Sequence, residues 1–196
     1  RKSPGKRPDV RLEVIRKAGE LRIPFTTGLL VGIGESREDR LVSLMKIREI
    51  QEEFGHIQEV IIQPFAPKPG TPMAGCPPPP ISEVLWTVRM AREVLPDLGV
   101  QVPPNLIGDL QASLPPLLGA GANDLGGISP VTPDFINPEH PWPAIGELKS
   151  VVERLGFRMR ERLPIYPIFV KDGRFMSEEV KRVVRRLSDE DGYRRV

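Results

Sequence analysis

Short apolar runs alternate with longer periodic segments along this chain. The run from Phe25 to Ile33 is apolar and bounded by turn residues, which predicts a buried strand. Similar runs centre on Val60–Ile62 and on Gly99–Val102, and a fourth, very short strand is predicted at Leu125–Ser129. Between these runs, apolar residues recur every three or four positions, as they do on the buried face of an amphipathic helix.

Helices are therefore predicted between the strands and towards both ends of the chain. They cover Asp9–Leu21, the segment from Ser36 to Gly55, a segment that begins at Ser82, Ile145–Leu155 and Ser177–Leu187. Ser36 and Asp39 have the spacing of a capping box, and Ile81 and Trp86 have that of a hydrophobic staple. The alternation of strand and helix predicts an α/β fold with a parallel sheet and crossover helices.

The connections between these elements differ in length in a regular way. Helix-to-strand links are short, whereas long strand-to-helix links hold the prolines that concentrate at Pro64–Pro80 and Pro103–Pro143. We expect ordered loops there, because proline fixes φ and removes a backbone donor. In a β/α barrel the loops that follow the strands carry the active site. The pattern thus predicts chemistry at the carboxyl ends of the strands.

The strands are too few to close an eight-stranded barrel. The pattern therefore predicts about half of a TIM-like barrel, with an open α/β sheet as the alternative. We predict that residues 1–170 form this half barrel and that residues 171–196 form a C-terminal helical tail.

Composition narrows the classes of protein that remain. The 196 residues carry a net charge of only +2, which gives no reason to expect a nucleic-acid partner. No apolar run approaches the ~20 residues of a membrane span, so no membrane partner is expected either. Cys76 is the single cysteine, which excludes an internal disulfide and any multi-cysteine metal site built by this chain alone. His56 and His140 lack partners at ligand spacing and are predicted to be structural.

The segment from Gly28 to Glu35 leaves a strand and enters a helix. Glycines at such a junction let the backbone approach a ligand, and the start of a helix offers free N–H groups. The segment lacks the spacing and the lysine of a phosphate loop. The alternative is a tight turn in which Glu35 interacts with the start of the helix.

Later loops hold polar residues that can contact a ligand. Lys68 lies between two prolines, so it loses little entropy when it holds an anion or a carbonyl group. Amides, hydroxyls and carboxylates that can bind a polyhydroxylated or heterocyclic molecule follow at Asn105, Asp124, Ser129, Thr132 and Asp134. Such residues also form local turns with their own backbone, and this alternative stays open.

In order, four segments resemble the radical S-adenosylmethionine (SAM) subunit of deazaflavin (FO) synthase. They read Thr-Gly-Leu-Leu-Val-Gly-Ile-Gly-Glu at 27–35, Lys-Pro-Gly-Thr-Pro-Met at 68–73, Pro-Pro-Asn-Leu at 103–106, and Asp-Leu-Gly-Gly-Ile-Ser-Pro-Val-Thr-Pro-Asp at 124–134. The first segment is shared by many radical SAM enzymes, and the last is more specific. The resemblance extends from about Pro4 to Pro167.

This resemblance implies a cytoplasmic radical lyase with a TIM-like barrel. In that family a 4Fe-4S cluster cleaves SAM reductively to a 5′-deoxyadenosyl radical. The radical abstracts hydrogen from an adduct of tyrosine-derived p-hydroxybenzyl and ribitylaminouracil. Ring closure with loss of ammonia then gives the 8-hydroxy-5-deazaflavin chromophore.

The resemblance also implies roles for particular residues. By motif, the adenosyl end of SAM would be supported by Gly28, Leu30, Gly32 and Glu35. The loop residues that would face the barrel mouth and the small-molecule substrate are Gln63, Lys68, Asn105, Asp124 and Ser129. No general acid or base follows from the resemblance.

The chain departs from the family in two places. Pro64 and Ala66 stand where the family often has asparagine and arginine. The cluster motif C-x-x-x-C-x-x-C is absent, and an iron–sulfur cluster needs cysteine thiolates as ligands. The chain thus resembles the C-terminal half of the enzyme, without the ligands of its cluster, and we expect no turnover from it alone.

The expected partners follow from the same resemblance. They are the N-terminal half of the barrel and the partner subunit of the FO synthase. Self-association is also predicted, because a half barrel exposes strand edges and apolar inner faces. Two other hypotheses remain, namely a non-catalytic half barrel that binds a small molecule and a related radical SAM enzyme of another pathway.

Overall fold

The computed structural model describes residues 7–195. Helices and strands alternate through the first half of the chain, and helices follow in the second. The elements are α1 (Pro8–Glu20), β1 (Phe25–Val31), α2 (Arg37–Phe54), β2 (Ile57–Pro64), α3 (Ile81–Val94), β3 (Gly99–Gln101), α4 (Leu110–Gly119), α5 (Ile145–Arg154), α6 (Pro167–Asp172) and α7 (Glu178–Leu187). No helix within the described residues is long and apolar enough to cross a bilayer.

The strands form an open, parallel sheet in the order β1-β2-β3. The α/β class is therefore confirmed, whereas completion of this sheet into a barrel stays a prediction. The expected fourth strand at Leu125–Ser129 is wrong. Only Asp124 pairs there, in a single parallel bridge to Gln101, and Gly126 then leaves extended geometry with a φ of 77°.

The loop asymmetry that the sequence predicts is present. Residues 65–80 connect β2 to α3 and residues 102–109 connect β3 to α4. By contrast, residues 55–56 alone connect α2 to β2. The long loops thus share the carboxyl ends of parallel strands, which is where α/β proteins commonly bind ligands.

The capping box that begins α2 is confirmed. The Ser36 N–H donates to Asp39 Oδ2 over 2.8 Å, and the Asp39 N–H donates to Ser36 Oγ over 3.1 Å. The predicted staple at α3 is wrong, since the helix begins one residue earlier than expected. Pro80 is the N-cap residue and Ile81 is already helical, so Ile81 and Trp86 do not have staple spacing.

One helix lies inside the proline-rich stretch Pro103–Pro143. Asp109 begins α4 by accepting the N–H groups of Gln111 and Ala112, at 2.8 and 3.2 Å. The helix continues through Pro115 and Pro116 despite their missing donors. Fully buried leucines on α4, which packs between α3 and α5, offset that loss.

The described residues group into two compact units. We call residues 7–27, 45–59 and 160–195 the terminal unit, and residues 28–44 and 60–159 the loop unit. The first parts of β1 and β2 belong to the terminal unit and their later parts to the loop unit. The boundary predicted at residue 170 falls inside α6, and the predicted division into half barrel and tail stays a prediction.

In the terminal unit, the C-terminal segment is fixed to the start of β2 by a buried carboxylate. Glu59 accepts hydrogen bonds from Thr26 Oγ1 at 2.8 Å and from the Tyr166 hydroxyl at 2.9 Å. Arg162 adds an ion pair at 3.1 Å. The neighbouring Gln58 side chain donates to the carbonyl of Pro164 and accepts the N–H of Tyr166. Each polar group buried here thus has a partner, as burial of polar groups demands.

His56 is fully buried in the same unit. Its Nε2 lies 2.9 Å from the carbonyl oxygen of Ile15, and a carbonyl can only accept, so Nε2 carries the proton. Its Nδ1 has no partner among the described residues. Burial lowers the pKa of His56 below its ordinary value, although the bond to Ile15 opposes this. The side chain therefore packs as a neutral core residue, in agreement with its predicted structural role.

We expect the free energy of unfolding to decrease as the pH falls from about 7 to about 5. The unfolded chain protonates His56 near the ordinary histidine pKa of about 6.5, whereas the folded chain resists protonation. The unfolded state then binds more protons, so this contribution is complete above that pKa and is lost below it. Urea titrations at several pH values measure the slope. His56→Gln should flatten it more than the control His140→Gln, whose histidine is only partly buried; equal slopes in both variants would contradict the assignment.

Candidate functional site

Every site residue that the sequence predicts lies in the loop unit. Gly28 and Leu30 lie in β1, and Gln63 lies near the carboxyl end of β2. The others lie in segments after the strands or after α4: Gly32, Glu35, Lys68, Asn105, Asp124 and Ser129. This placement agrees with a ligand site at the carboxyl ends of the strands, but it does not by itself assign a role to any of them.

The turn between β1 and α2 requires glycine at two positions. Gly32 has a φ of 97° and Gly34 has a φ of 101°, a region that other residues rarely adopt. A Cβ on Gly32 would also lie 2.9 Å from the ring of Pro79, at the end of the loop that follows β2. Backbone conformation and close packing both explain the glycine, independently of any ligand.

The Glu35 side chain accepts hydrogen bonds from the backbone of its own turn. Its Oε1 accepts the Gly32 N–H at 2.8 Å and its Oε2 accepts the Ile33 N–H at 2.7 Å. Burial would raise the pKa of the Glu35 carboxyl, but hydrogen bonds from these N–H groups, from its own N–H and from Arg40 outweigh burial and lower it. The structure therefore shows the tight turn that the sequence offered as an alternative, and contact of Glu35 with SAM stays a prediction.

Arg40 ties the turn to α3. The guanidinium donates to Glu35 Oε1 at 2.7 Å, to Glu83 Oε2 at 2.8 Å and to Thr87 Oγ1 at 3.2 Å, while the residue is only 5% exposed. Hydrogen bonds from Arg37 and then Arg40 lower the pKa of the Glu83 carboxyl. Arg40 is not among the site residues predicted from the sequence, although a signal exists. It lies four and seven residues before Leu44 and Ile47, on the apolar stripe of α2, where a charge needs a buried partner.

Position 28 requires glycine because β1 and β2 pack closely there. A Cβ at this position would lie 2.3 Å from the backbone oxygen of Ile61 on β2, which no side chain could tolerate. Two residues further along β1, Leu30 is 40% exposed. Positions two apart on a strand share a face, so this face of β1 presents apolar surface without a cover among the described residues.

Lys68 is held by a carboxylate on another loop. Its ammonium forms an ion pair with Glu139, and this hydrogen bond lowers the pKa of the Glu139 carboxyl. Ser129 is also engaged locally, because its Oγ accepts the N–H of Thr132 at 2.9 Å and the Thr132 hydroxyl at 2.7 Å. In this structure both side chains fix loops, and their contact with substrate stays a prediction.

Asn105 and Asp134 join the loop after β3 to the segment after α4. Asn105 Nδ2 donates to Asp134 Oδ2 and to the carbonyl of His140, both at 3.0 Å. Asp134 also accepts the N–H groups of Ile136 and Asn137, at 2.9 and 3.1 Å. Burial would raise the pKa of the Asp134 carboxyl, but the hydrogen bonds from Asn137 and Asn105 lower it. The buried Oδ1 of Asn105 has no partner among the described residues.

Asp124 is positioned by β3. Its backbone oxygen accepts the Val102 N–H at 3.1 Å, and its Oδ1 accepts the Gly126 N–H at 2.6 Å. A Cβ on Gly126 would lie 2.6 Å from the side-chain nitrogen of Gln101, so the segment passes very close to the end of β3. The structure thus brings Asp124 to the sheet edge, although the fourth strand expected just after it is absent.

The described residues do not fit an iron–sulfur cluster. They contain no group of three His, Cys, Asp or Glu side chains that could hold a metal ion. Cys76 is the single cysteine of the chain, and its thiol alone cannot replace the three cysteine ligands that such a cluster needs. Any cluster chemistry therefore requires residues from outside this chain.

The site thus defines a class: an α/β protein whose functional candidates lie on a glycine turn and on proline-rich loops after parallel strands. No protein-family model matches the chain. Curated relatives match it closely. The chain is 56% identical over 194 residues to the 7,8-didemethyl-8-hydroxy-5-deazariboflavin synthase of Archaeoglobus fulgidus. The match covers 98% of this chain and 58% of the relative.

Two further synthases of the same name give the same result. The Methanopyrus kandleri protein is 54% identical over 98% of this chain and 57% of its own length. The Methanothermobacter thermautotrophicus protein is 48% identical over 95% of this chain and 56% of its own length. The chain is therefore homologous to a part of the 7,8-didemethyl-8-hydroxy-5-deazariboflavin (FO) synthases, which confirms the resemblance found in the sequence. It spans just over half the length of these relatives.

We expect Arg40→Met to lower the free energy of unfolding by about 3 kcal/mol, because it leaves two partly buried carboxylates without their shared cation. Arg37→Met is the matched control, since Arg37 also pairs with Glu83 but is 52% exposed. Solvent screens that pair, so its loss should lower the free energy of unfolding much less. Urea unfolding of both variants measures the difference. Equal destabilisation would show that burial of Arg40 is not what makes the network strong.

Proposed function

We propose that this chain supplies the adenosyl-supporting turn and the substrate-facing loops of an FO synthase, a radical lyase and cyclase. The observation that carries this proposal is the identity of 48–56% to synthases over nearly the whole chain. The placement of all predicted site residues in the loop unit supports it. In this proposal the open sheet is about half of a TIM-like barrel, whose remainder comes from sequence that this chain does not contain.

SAM and a 4Fe-4S cluster would together supply the hydrogen-abstracting radical of this reaction. The cluster does not fit the residues present, so it belongs to the missing part. For SAM, the turn at Gly32 and the uncovered face beside Leu30 offer backbone and apolar surface suited to a nucleoside. Lys68 and Asn105, on loops stiffened by proline, would orient the substrate at the same end of the sheet.

The missing part is also the proposed partner. The uncovered face of β1 includes Leu30, and Ile33 just beyond the strand is 45% exposed. At the sheet edge, β1 pairs with a described strand only on its β2 side. A strand from the remainder of the barrel would pair with the free edge of β1, and an apolar face from it would cover the exposed face of β1. Unpaired strand edges and exposed apolar faces are unfavourable in water.

The test combines this chain with the portion of the Archaeoglobus fulgidus synthase that it does not match. The two parts are reconstituted with iron and sulfide without oxygen and given SAM, a reductant and the substrate adduct. We expect 5′-deoxyadenosine and fluorescent deazaflavin from the combination and neither from the chain alone. Turnover by the chain alone would contradict the proposal, and so would an inactive combination whose parts assemble by light scattering.

A second function, a small-molecule-binding module without radical chemistry, is favoured by one observation, the single cysteine. The reconstitution separates the two functions when a calorimetric titration is added to it. A binding module would bind 5′-methylthioadenosine in the titration, yet its assembled combination would form no 5′-deoxyadenosine.

The role of Lys68 is tested by two substitutions in the active combination. If Lys68 orients the substrate, Lys68→Met should lower deazaflavin formation by about tenfold or more, the effect of losing roughly 1.4 kcal/mol. Glu139→Gln breaks the same ion pair but keeps the cation, so it should retain most of the activity. Lys149→Met is the control for a lysine elsewhere in the loop unit. Equal losses from Lys68→Met and Glu139→Gln would mean that the pair only fixes the loops.

A further inference from the structure

The last helix of the described residues, α7, presents an apolar stripe to solvent. Its apolar residues recur at the three- and four-residue steps that place side chains on one helix face, at Val180, Val183, Val184 and Leu187. Val184 lines a hollow together with Val170 of α6. Val180, Val183 and Leu187 are 47%, 42% and 51% exposed, and no residue of this helix is buried. An apolar stripe normally packs on a core or a partner, but the described residues leave this one largely uncovered.

The charged side chains beside this stripe complement each other. Glu179 and Arg186 are seven residues apart, which is close to two helical turns, so both lie along the same edge of the stripe. Neither side chain forms an ion pair or a hydrogen bond with another described residue. At the other edge, Lys181 already pairs with Glu178 at 2.5 Å. The open edge therefore carries an acid near its start and a base near its end.

We propose that this face of α7 binds the same face of a second copy of the chain, in an antiparallel helix pair related by a two-fold axis. The start of each helix then lies beside the end of the other, so Glu179 of each copy meets Arg186 of the other. The apolar stripes cover one another between these two ion pairs. A parallel pair would instead place like charges together at both ends, so the charge pattern selects the antiparallel arrangement.

The charges beside the stripe favour a second copy over other partners. A helix that lies on an anionic membrane carries cations beside its apolar face, whereas the two charges at the open edge of α7 cancel. An acidic protein surface would likewise meet Glu179 as an unfavourable like charge. The helix has only 10 residues, so the contact is smaller than the roughly 1,200 Å² of a stable interface. We therefore expect a weak dimer that dissociates on dilution.

The proposed dimer goes beyond the proposed function and does not depend on it. The face of α7 belongs to the terminal unit, whereas Leu30, on the face of β1 proposed to meet the missing part of the synthase, belongs to the loop unit. A dimer through α7 can therefore be measured on this chain alone, whether or not the combined protein is active.

The first test measures dimerisation of the whole chain by analytical ultracentrifugation from micromolar to millimolar concentration. Glu179→Arg and Arg186→Glu each convert both ion pairs of the dimer into like-charge pairs, so each should raise the dissociation constant about tenfold or more. Arg182→Glu is the matched control. It makes the same change of charge as Arg186→Glu on the opposite face of α7, and it should change the dissociation constant by about twofold at most.

Mixing the two variants separates a lost ion pair from a damaged helix. In an equimolar mixture, a Glu179→Arg chain and an Arg186→Glu chain form a mixed dimer in which both pairs are attractive again. The mixture should therefore dimerise about tenfold more tightly than either variant alone. A variant that has lost the fold of α7 could not be rescued in this way. If the mixture is no tighter than the variants, the pairing of Glu179 with Arg186 is wrong.

Other outcomes would overturn the proposal without any rescue experiment. A wild-type chain that stays monomeric at millimolar concentration contradicts it directly. A dimer that is unaffected by Glu179→Arg and Arg186→Glu would place the contact elsewhere, such as the free edge of β1. Phosphatidylglycerol vesicles that bind the wild type, and bind Glu179→Arg more tightly, would assign the face to a membrane. A dimer that dissociates when the remainder of the synthase is added would show that this remainder covers α7.

Discussion

The geometry of the candidate site depends on one buried cation, Arg40. Its guanidinium lies between the carboxylates of Glu35 and Glu83, and through them it fixes the turn after β1 to the helix that follows the next strand. A buried charge of this kind needs partners for its donors. In the loop unit, Arg40 Nε donates to Glu35, and Nη1 donates to Glu83 and to Thr87, whose side chain is fully buried. The turn is therefore held by electrostatics as well as by its glycines.

The terminal unit uses a similar principle with the charges reversed. There the buried group is an anion, Glu59, and the partners that surround it come from β1 and from the C-terminal segment. Both units thus place one satisfied charge where chain segments distant in sequence must meet. Removing the ionic partner from such a network leaves a buried charge without compensation, which is strongly destabilising.

The sequence predicts the elements of this fold well where the signal is local. The capping box at Ser36 and Asp39 depends on neighbouring residues and is confirmed, and the helices predicted up to Gly55 and from Ser177 end and begin within one residue of those positions. Local signals carry less information where tertiary packing decides. The α4 helix persists through Pro115 and Pro116 because its leucines are buried between two other helices, and no local rule contains that information.

The candidate site shows the same division. Sequence motifs placed the predicted residues at strand ends, but they did not show that Glu35 bonds to its own turn or that Lys68 pairs with Glu139, 71 residues away. Those pairings depend on loops that meet only in three dimensions. Arg40 is the exception, because a charge on the apolar stripe of an amphipathic helix is visible in the sequence and calls for a buried partner.

The occupied turn at Gly32 also affects how glycine-rich motifs are searched for and redesigned. A pattern search for nucleotide-binding loops rewards glycines between a strand and a helix, and Gly32 and Gly34 satisfy that criterion. An acidic residue directly after these glycines makes the pattern a poor indicator of phosphate binding, since its carboxylate can accept the N–H groups of the turn. A protein engineer who wants a phosphate here would have to remove the acid and the arginine behind it together, because no further glycine would free those N–H groups.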